Sequence, residues 1–405
     1  MQTRLSLSLL ETDWGKEADS ILRTCVHCGF CTATCPTYQL TGDELDGPRG
    51  RIYLIKQALE ESTASAKTRK HLDRCLICRS CETTCPSGVR YHNLLKIGKQ
   101  AVDTHVQRSL NERLLRWGMR TLLPYPARFA PLFKLGTLFR PLMPAALKAK
   151  MPVVHEPGAR PSRTHERNVI LFEGCVQSVV ATSINAATRR VLDRLGIGCI
   201  AANGEGCCGA VSNHTGDIPA GEAMARRNID SWMPHLDAGA EAIVTTASAC
   251  GLEIREYPEL LKNDPVYAGK AQRIASALMD ISQFLSQSVD SSGMTLSKPL
   301  PQISFHAPCT LQHGLKQAGT VEGLLQKLGF SVRTPADAHL CCGSAGTYSI
   351  LQPDMALQLR DKKLEKLDAA GADVVATANI GCMMHLQSGT GTEVRHWIEI
   401  LDASL

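Results

Sequence analysis

Two cysteine runs dominate the chemistry available to this chain: Cys25-Val-His-Cys28-Gly-Phe-Cys31-Thr-Ala-Thr-Cys35-Pro36 and Cys75-Leu-Ile-Cys78-Arg-Ser-Cys81-Glu-Thr-Thr-Cys85-Pro86. Each is C-x2-C-x2-C-x3-C-P, a spacing that holds a [4Fe–4S] cubane. Three thiolates of such a run wrap one cluster through a tight loop, and the fourth, released by the proline, reaches the other cluster. Cys25, Cys28, Cys31 and Cys85 are therefore expected on one cluster, and Cys75, Cys78, Cys81 and Cys35 on the second. Zinc competes for C-x2-C pairs, but two identical four-cysteine runs, each closed by proline, favour the cubanes. Arg74 and Arg79 flank the second run. Positive charge favours the reduced, more negative state, so the second cluster is expected to have the higher potential.

A second group of cysteines belongs to an internal repeat. Val169-Ile-Leu-Phe-Glu-Gly-Cys175 is matched by Ile303-Ser-Phe-His-Ala-Pro-Cys309. At the same interval beyond each come Cys207-Cys208-Gly209 and Cys341-Cys342-Gly343, and then strand-like segments that lead to Cys250 and Cys382. Cys175, Cys207, Cys208 and Cys250 form one candidate metal set, and Cys309, Cys341, Cys342 and Cys382 another. Packing as small hydrophobes and thiol–disulfide chemistry are the competing readings. There is no legible nucleophile–His–acid set, no GxGxxG after a strand, no Walker A and no flavin fingerprint. No catalytic residue is assigned, and the organic half-reaction is expected on another subunit.

The composition agrees. A chain of 405 residues, 44% hydrophobic but only 5% aromatic, reads as two or three globular domains with aliphatic cores. The 17 cysteines include two adjacent pairs, which seldom bridge each other. An odd total in metal-ligand spacings fits thiols kept reduced in a cytoplasmic setting. Residues 1–10 lack the apolar region of a signal peptide, and no transmembrane helix is expected. The net charge of +5 is mild.

The elements that must position these cysteines differ along the chain. Residues 1–20 read as a lead-in with one helical turn near Thr12-Asp13-Trp14. From Pro48, residues Ile52, Ile55, Ala58 and Leu59 recur at helical spacing, which predicts a core helix. On it, Arg49 and Arg51 could also face a cluster or a phosphate. A further helix is expected over residues 90–105. Between Glu112 and Glu156 there is no acidic residue, but there are Arg113, Arg116, Arg120, Arg128, Lys134, Arg140, Lys148 and Lys150, interleaved with Trp117, Tyr125 and three phenylalanines. This segment suits either an anionic membrane surface or packing on its own domains or a partner. Nucleic acid is not an expected partner, because no recognised motif accompanies the charge. From residue 168, short β-branched runs alternate with helices such as 181–195 and 353–367, which predicts α/β units around small parallel sheets. Their cysteines would lie at one rim of each sheet. The expected domains are 1–108, a linker at 109–167, 168–290 and 299–405, with a joint over 283–298.

Over almost its whole length the chain resembles the CCG-domain iron–sulfur oxidoreductase subunits, the family of the glycolate oxidase iron–sulfur subunit. The resemblance rests on the two cysteine runs, Gly47-Pro48-Arg49-Gly50-Arg51 and the tandem Cys-Cys-Gly repeats. Similar proteins include the lactate-utilisation iron–sulfur proteins, the corresponding subunit of anaerobic glycerol-3-phosphate dehydrogenase and heterodisulfide reductase subunits. The resemblance implies a multidomain fold: an α-helical ferredoxin-type domain with two [4Fe–4S] clusters, then two α/β CCG domains. It also implies FAD-bearing partner subunits, no flavin on this chain, and electrons passed towards the quinone pool at the cytoplasmic face of the membrane. The alternatives are a heterodisulfide or thiol reductase-type subunit, or the iron–sulfur subunit of a lactate or glycerol-3-phosphate dehydrogenase. The heterodisulfide reductase version of the repeat ends in C-x-x-C, whereas Ala247 and Asn379 stand here in place of one cysteine per half. His306, His339 and His385 are candidate substitutes in the second set.

Overall fold

The structure is a computed structural model that describes residues 1–142, 154–288, 294, 296–297 and 299–405. Lys148 and Lys150 of the basic segment and part of the expected joint lie outside the described residues. The chain forms two compact units, Met1–Leu115 with His339–Lys363, and Arg116–Ala338 with Leu364–Leu405.

The first unit is helical. Thr12 caps the helix Asp13–Thr24 by accepting from the Gly15 N–H at 3.1 Å. The single turn expected there runs to three, because Ala18, Ile21 and Leu22 recur on one face and are buried. The helix Pro48–Glu60 begins at proline, which gives up an N–H that no helix start needs. Its Ile52, Ile55 and Leu59 pack with Leu94 and Leu95 of Tyr91–His105. A Cβ on Gly98 would lie 2.5 Å from Ile55, so that glycine sets how closely the two helices approach. Burial of each such aliphatic side chain is worth about 1.5–3 kcal/mol.

Among the described residues, the second unit holds eight strands: β1 (Arg167–Phe172), β2 (Ile197–Ile200), β3 (Ile243–Thr245), β4 (Leu278–Asp280), β5 (Gln302–His306), β6 (Ser331–Arg333), β7 (Val374–Thr377) and β8 (Val394–His396). They make two parallel four-stranded sheets ordered β2-β1-β3-β4 and β6-β5-β7-β8. Val169–Phe172 of β1 and the whole of β3 are buried without alternation, as expected of parallel strands covered on both faces. Helices of the two halves pack on each other. Thr182–Arg194 packs on Trp397–Ser404, and Ile281–Ser288 packs on Thr320–Lys327. Arg190 seals the first contact, donating to both Asp402 oxygens at 2.6–3.1 Å. In the basic segment, helices form over Leu110–Leu122 and Pro126–Leu138, and Arg120 donates to the Thr215 hydroxyl at 2.8 Å. Among the described residues, no helix is long and apolar enough to cross a membrane.

Candidate metal centres

Both N-terminal runs fold into the same turn. His27 and Ile77 have φ near +58° and +55°, and the next loop residues, Gly29 and Arg79, sit at +88° and +61°. A β-branched residue such as Ile77 adopts that region only when its surroundings demand it. In the second run the turn aims a backbone N–H at sulfur: Ile77 N–H lies 3.5 Å from Cys75 Sγ.

Two cavities follow. One is lined by Cys25, Cys28, Cys31 and Cys85, with Pro48, Arg49 and Ile52 as neighbours. The other is lined by Cys35, Cys75, Cys78 and Cys81, with Arg51, Thr37 and Tyr91. Cys81 borders both cavities. Each cavity thus draws cysteines from both runs. Burial, with Cys25, Cys35 and Cys85 nearby, pushes the Cys31 thiol up to about 11, and burial raises Cys81 well above the ordinary thiol range. Such thiols give up their protons when a metal takes them. At least four soft sulfur donors around each cavity, with the Ile77 N–H aimed at sulfur in the second, fit an iron–sulfur cluster.

Beneath the second cavity lies a buried ionic cluster that motif spacing does not reveal. Asp46 accepts from His71 Nδ1 at 2.8 Å and from Arg74 Nη1 at 2.7 Å. Arg51, 1% exposed, donates to the His71 carbonyl at 2.7 Å and to the Thr37 hydroxyl at 3.1 Å. Thr37 Oγ1 lies 3.3 Å from Cys35 Sγ. Burial alone would depress the Arg51 guanidinium. The anionic forms of Cys75, Tyr91, Cys35 and Asp46 outweigh it and hold the charge in place. Tyr91 donates its hydroxyl to Cys75 Sγ at 3.8 Å. Arg49, by contrast, pairs with Glu44 at 2.6 Å and has Cys31 in its field. Both arginines therefore face cysteine sites, a role the helical spacing left open beside core packing. Arg74, expected to act on the second cluster, spends its charge on Asp46.

The first repeat gathers its four cysteines beyond the C-terminal ends of β1, β2 and β3, where the order β2-β1-β3 reverses direction. Cys175 donates to Cys207 Sγ at 3.4 Å, and Cys208 lies in hydrogen-bonding contact with both Cys207 and Cys250. Hydrogen bonds from Cys175, Cys208 and the Gly209 N–H, with Arg227 nearby, hold the Cys207 thiol below the usual thiol range. Gly209 has φ +98°, and its N–H lies 3.5 Å from Cys207 Sγ, which explains the glycine of the motif. Asn228 and Tyr257 lock the loop. Asn228 accepts from Gly206 N at 2.9 Å and donates to the Cys207 carbonyl at 3.0 Å, while Tyr257 donates to the Cys208 carbonyl at 2.9 Å.

In the second repeat, Cys309 and Cys382 follow β5 and β7 in the second unit, whereas Cys341 and Cys342 belong to the first unit. Asn379 Nδ2 lies 3.5 Å from Cys382 Sγ, and its Oδ1 accepts from Ala249 N at 3.3 Å, so the residue in the missing cysteine's place hydrogen-bonds the sulfur that remains. Among the three candidate histidines, His306 is buried within 4.8 Å of Cys382, His385 rides the helix Ile380–Gln387, and His339 belongs to the first unit. Cys199, outside every set, sits on β2, where burial pushes its thiol up to about 12.

Residues 21–89 match the 4Fe-4S dicluster domain family, and residues 169–255 and 303–387 each match the cysteine-rich domain family CCG. Fold and sites together define an electron-transfer iron–sulfur protein, a dicluster domain joined to a duplicated cysteine-rich domain. The chain is 52% identical to the glycolate oxidase iron-sulfur subunit of Escherichia coli K12, over 100% of this chain and 99% of that relative. It is 29% identical to a probable glycolate oxidase iron-sulfur subunit of Bacillus subtilis 168, over 97% and 95%. A lactate utilization protein A of Bacillus cereus is 30% identical over 58% of this chain and 98% of its own length. A hypothetical protein from Helicobacter pylori shares the fold, with a TM-score of 0.57 at 10% identity, over 97% of this chain and 72% of that one. The chain belongs to the glycolate oxidase iron–sulfur subunit family.

Proposed function

We propose that this chain is the electron-carrying subunit of a membrane-associated, flavin-linked glycolate dehydrogenase, with Cys25, Cys28, Cys31 and Cys85 holding one [4Fe–4S] cluster and Cys75, Cys78, Cys81 and Cys35 the other. The observation that carries the reading is the pair of cavities, one lined by Cys25, Cys28, Cys31 and Cys85 and the other by Cys35, Cys75, Cys78 and Cys81, with Cys81 also bordering the first, so that each draws cysteines from both runs. Bound there, the clusters supply one-electron transfer. The chain's own part is to hold the sulfurs, exclude water and set the charge around each site. At the first site Cys28 is exposed, as are Val26 (67%) and Phe30 (60%), which suits exchange of electrons with an FAD-bearing partner. Trp117, Leu132, Leu135, Leu138 and Phe139 are exposed on the basic helices, which supports docking at an anionic membrane's cytoplasmic face near the quinone pool.

Anaerobic purification of the lone chain tests this. The expected product is brown and flavin-free, carries about eight irons if only the N-terminal sites are loaded, and oxidises no glycolate until FAD-bearing partners are added. Substantial glycolate turnover by the chain alone would overturn the proposal.

A further inference from the structure

Pro48, Cys81 and Tyr91 each border both cavities of the first unit, and so form the partition between the two four-cysteine sites. Pro48 opens the helix Pro48–Glu60 and Tyr91 opens the helix Tyr91–His105, so the starts of two core helices fix where that partition stands. Tyr91 is firmly held there. Its N–H bonds the Val89 carbonyl at 2.8 Å, and Leu94 and Leu95, one turn further on, are buried in the helical core. The Tyr91 side chain is itself 4% exposed. Its hydroxyl is committed to the second site, where it donates to Cys75 Sγ at 3.8 Å. The same sulfur accepts from the Ile77 N–H at 3.5 Å. Burial, with Cys75 beside it, holds the Tyr91 phenol well above its ordinary range, so the hydroxyl keeps its proton and stays a donor. The ring therefore belongs to both sites and the hydroxyl to one.

We propose that Tyr91 is a positioning residue for electron transfer: its hydroxyl, by donating to Cys75 Sγ, raises the reduction potential of the cluster held there, while its ring keeps water out of the partition between the two sites. A donor on a ligand sulfur draws charge from it and stabilises the reduced state, and exclusion of water tunes the potential as well. The bias favours passage of one electron from the first site, where Cys28 is exposed, to the second. The inference rests on the ligand assignment proposed above for Cys75.

The test is an EPR-monitored redox titration of the full-length chain, isolated anaerobically, in wild type, Tyr91→Phe and Tyr91→Leu, with iron content measured on each. Tyr91→Phe keeps the ring and removes the donor. It is expected to make reduction about fivefold less favourable at one cluster signal, which is ~40 mV for one electron at 59 mV per tenfold, and to leave the other signal in place. The affected signal is the one that Arg51→Gln also moves. Tyr91→Leu removes the ring as well and is expected to move both signals. Two unmoved signals in Tyr91→Phe at full iron content, equal displacement of both, or loss of iron from that variant would overturn the tuning role. Tyr91→Leu that reproduces Tyr91→Phe would overturn the role of the ring. A wild-type chain with no cluster signals would sink the ligand assignment instead, so the two failures are distinguishable.

Discussion

Arg51→Gln is the most direct probe of how the first unit sets its electron-transfer properties. Arg51 is buried at 1% exposure, and its charge faces both Cys75 and Cys35 of the second cavity. Reduction of a cluster there adds one negative charge, which the guanidinium stabilises. At an effective dielectric of about 20 and a separation of ~7 Å, the interaction is ~2.4 kcal/mol. For one electron that corresponds to roughly 100 mV, at 59 mV per tenfold. Loss of the charge is therefore expected to lower one midpoint potential by about 100 mV and leave the other within a few tens of mV. Asp46, buried beside Arg51, opposes it, so Arg51→Gln with Asp46→Asn should recover much of the drop. The variant keeps a hydrogen-bonding side chain, and Asp46 retains His71 and Arg74, so the unit is expected to fold. Redox titration of both signals is the assay. Equal displacement of the two potentials, or no displacement with iron content intact, would refute the reasoning.

Other perturbations test separate parts of the structure. Cys35→Ser and Cys85→Ser should each remove about half of the iron, and the surviving signal should respond to Arg51→Gln only in Cys85→Ser, as crossed ligation requires. In the second unit, Asn228→Ala removes the hydrogen bonds that hold the Cys-Cys-Gly loop and should cost about 2–3 kcal/mol in denaturant unfolding, against about 1 for Tyr257→Phe. His396 is buried and held neutral: its Nε2–H donates to the Thr246 carbonyl at 2.9 Å, its Nδ1 accepts from Ile398 N, and burial pulls its pKa down to about 4. The unfolded chain takes up that proton near 6.5, so this contribution is complete above about 6.5 and falls by ~3 kcal/mol as pH drops to about 4. Burial lifts Asp280 to about 6, which acts oppositely, its contribution being present at acid pH and lost as pH rises through about 6. His396→Gln should therefore make the unit relatively more stable toward pH 4, as followed by urea midpoints between pH 4 and 8; an unchanged pH profile would count against the assignment.

Much of this architecture is written in local pattern. The cysteine runs specify their turns because each pair of sulfurs needs the same left-handed residues, and the helix from Pro48 to Glu60 shows in its apolar spacing. The parallel sheets show in short apolar runs such as Val169–Phe172, buried at every position. The polar residues that surround each site do not show. Asp46, His71 and Thr37 meet Arg51 only through tertiary packing, and no periodicity marks a polar residue that will be buried with partners. Asn228 and Tyr257 approach the Cys207–Cys208 carbonyls from helices distant in sequence. The placement of His339–Lys363 in the first unit is likewise invisible in the repeat, which predicts the same environment for both cysteine pairs.

The reciprocal helix contacts of the second unit have an evolutionary consequence. Each half leaves an outer helix whose apolar side is covered by the sister copy, with Arg190 and Asp402 as the latch. Severing the peptide around residues 289–298 would therefore leave fragments that still recognise each other. A duplicated chain built this way can be split between genes or fused again without losing its assembly, because the mating faces, rather than the tether, keep the copies together.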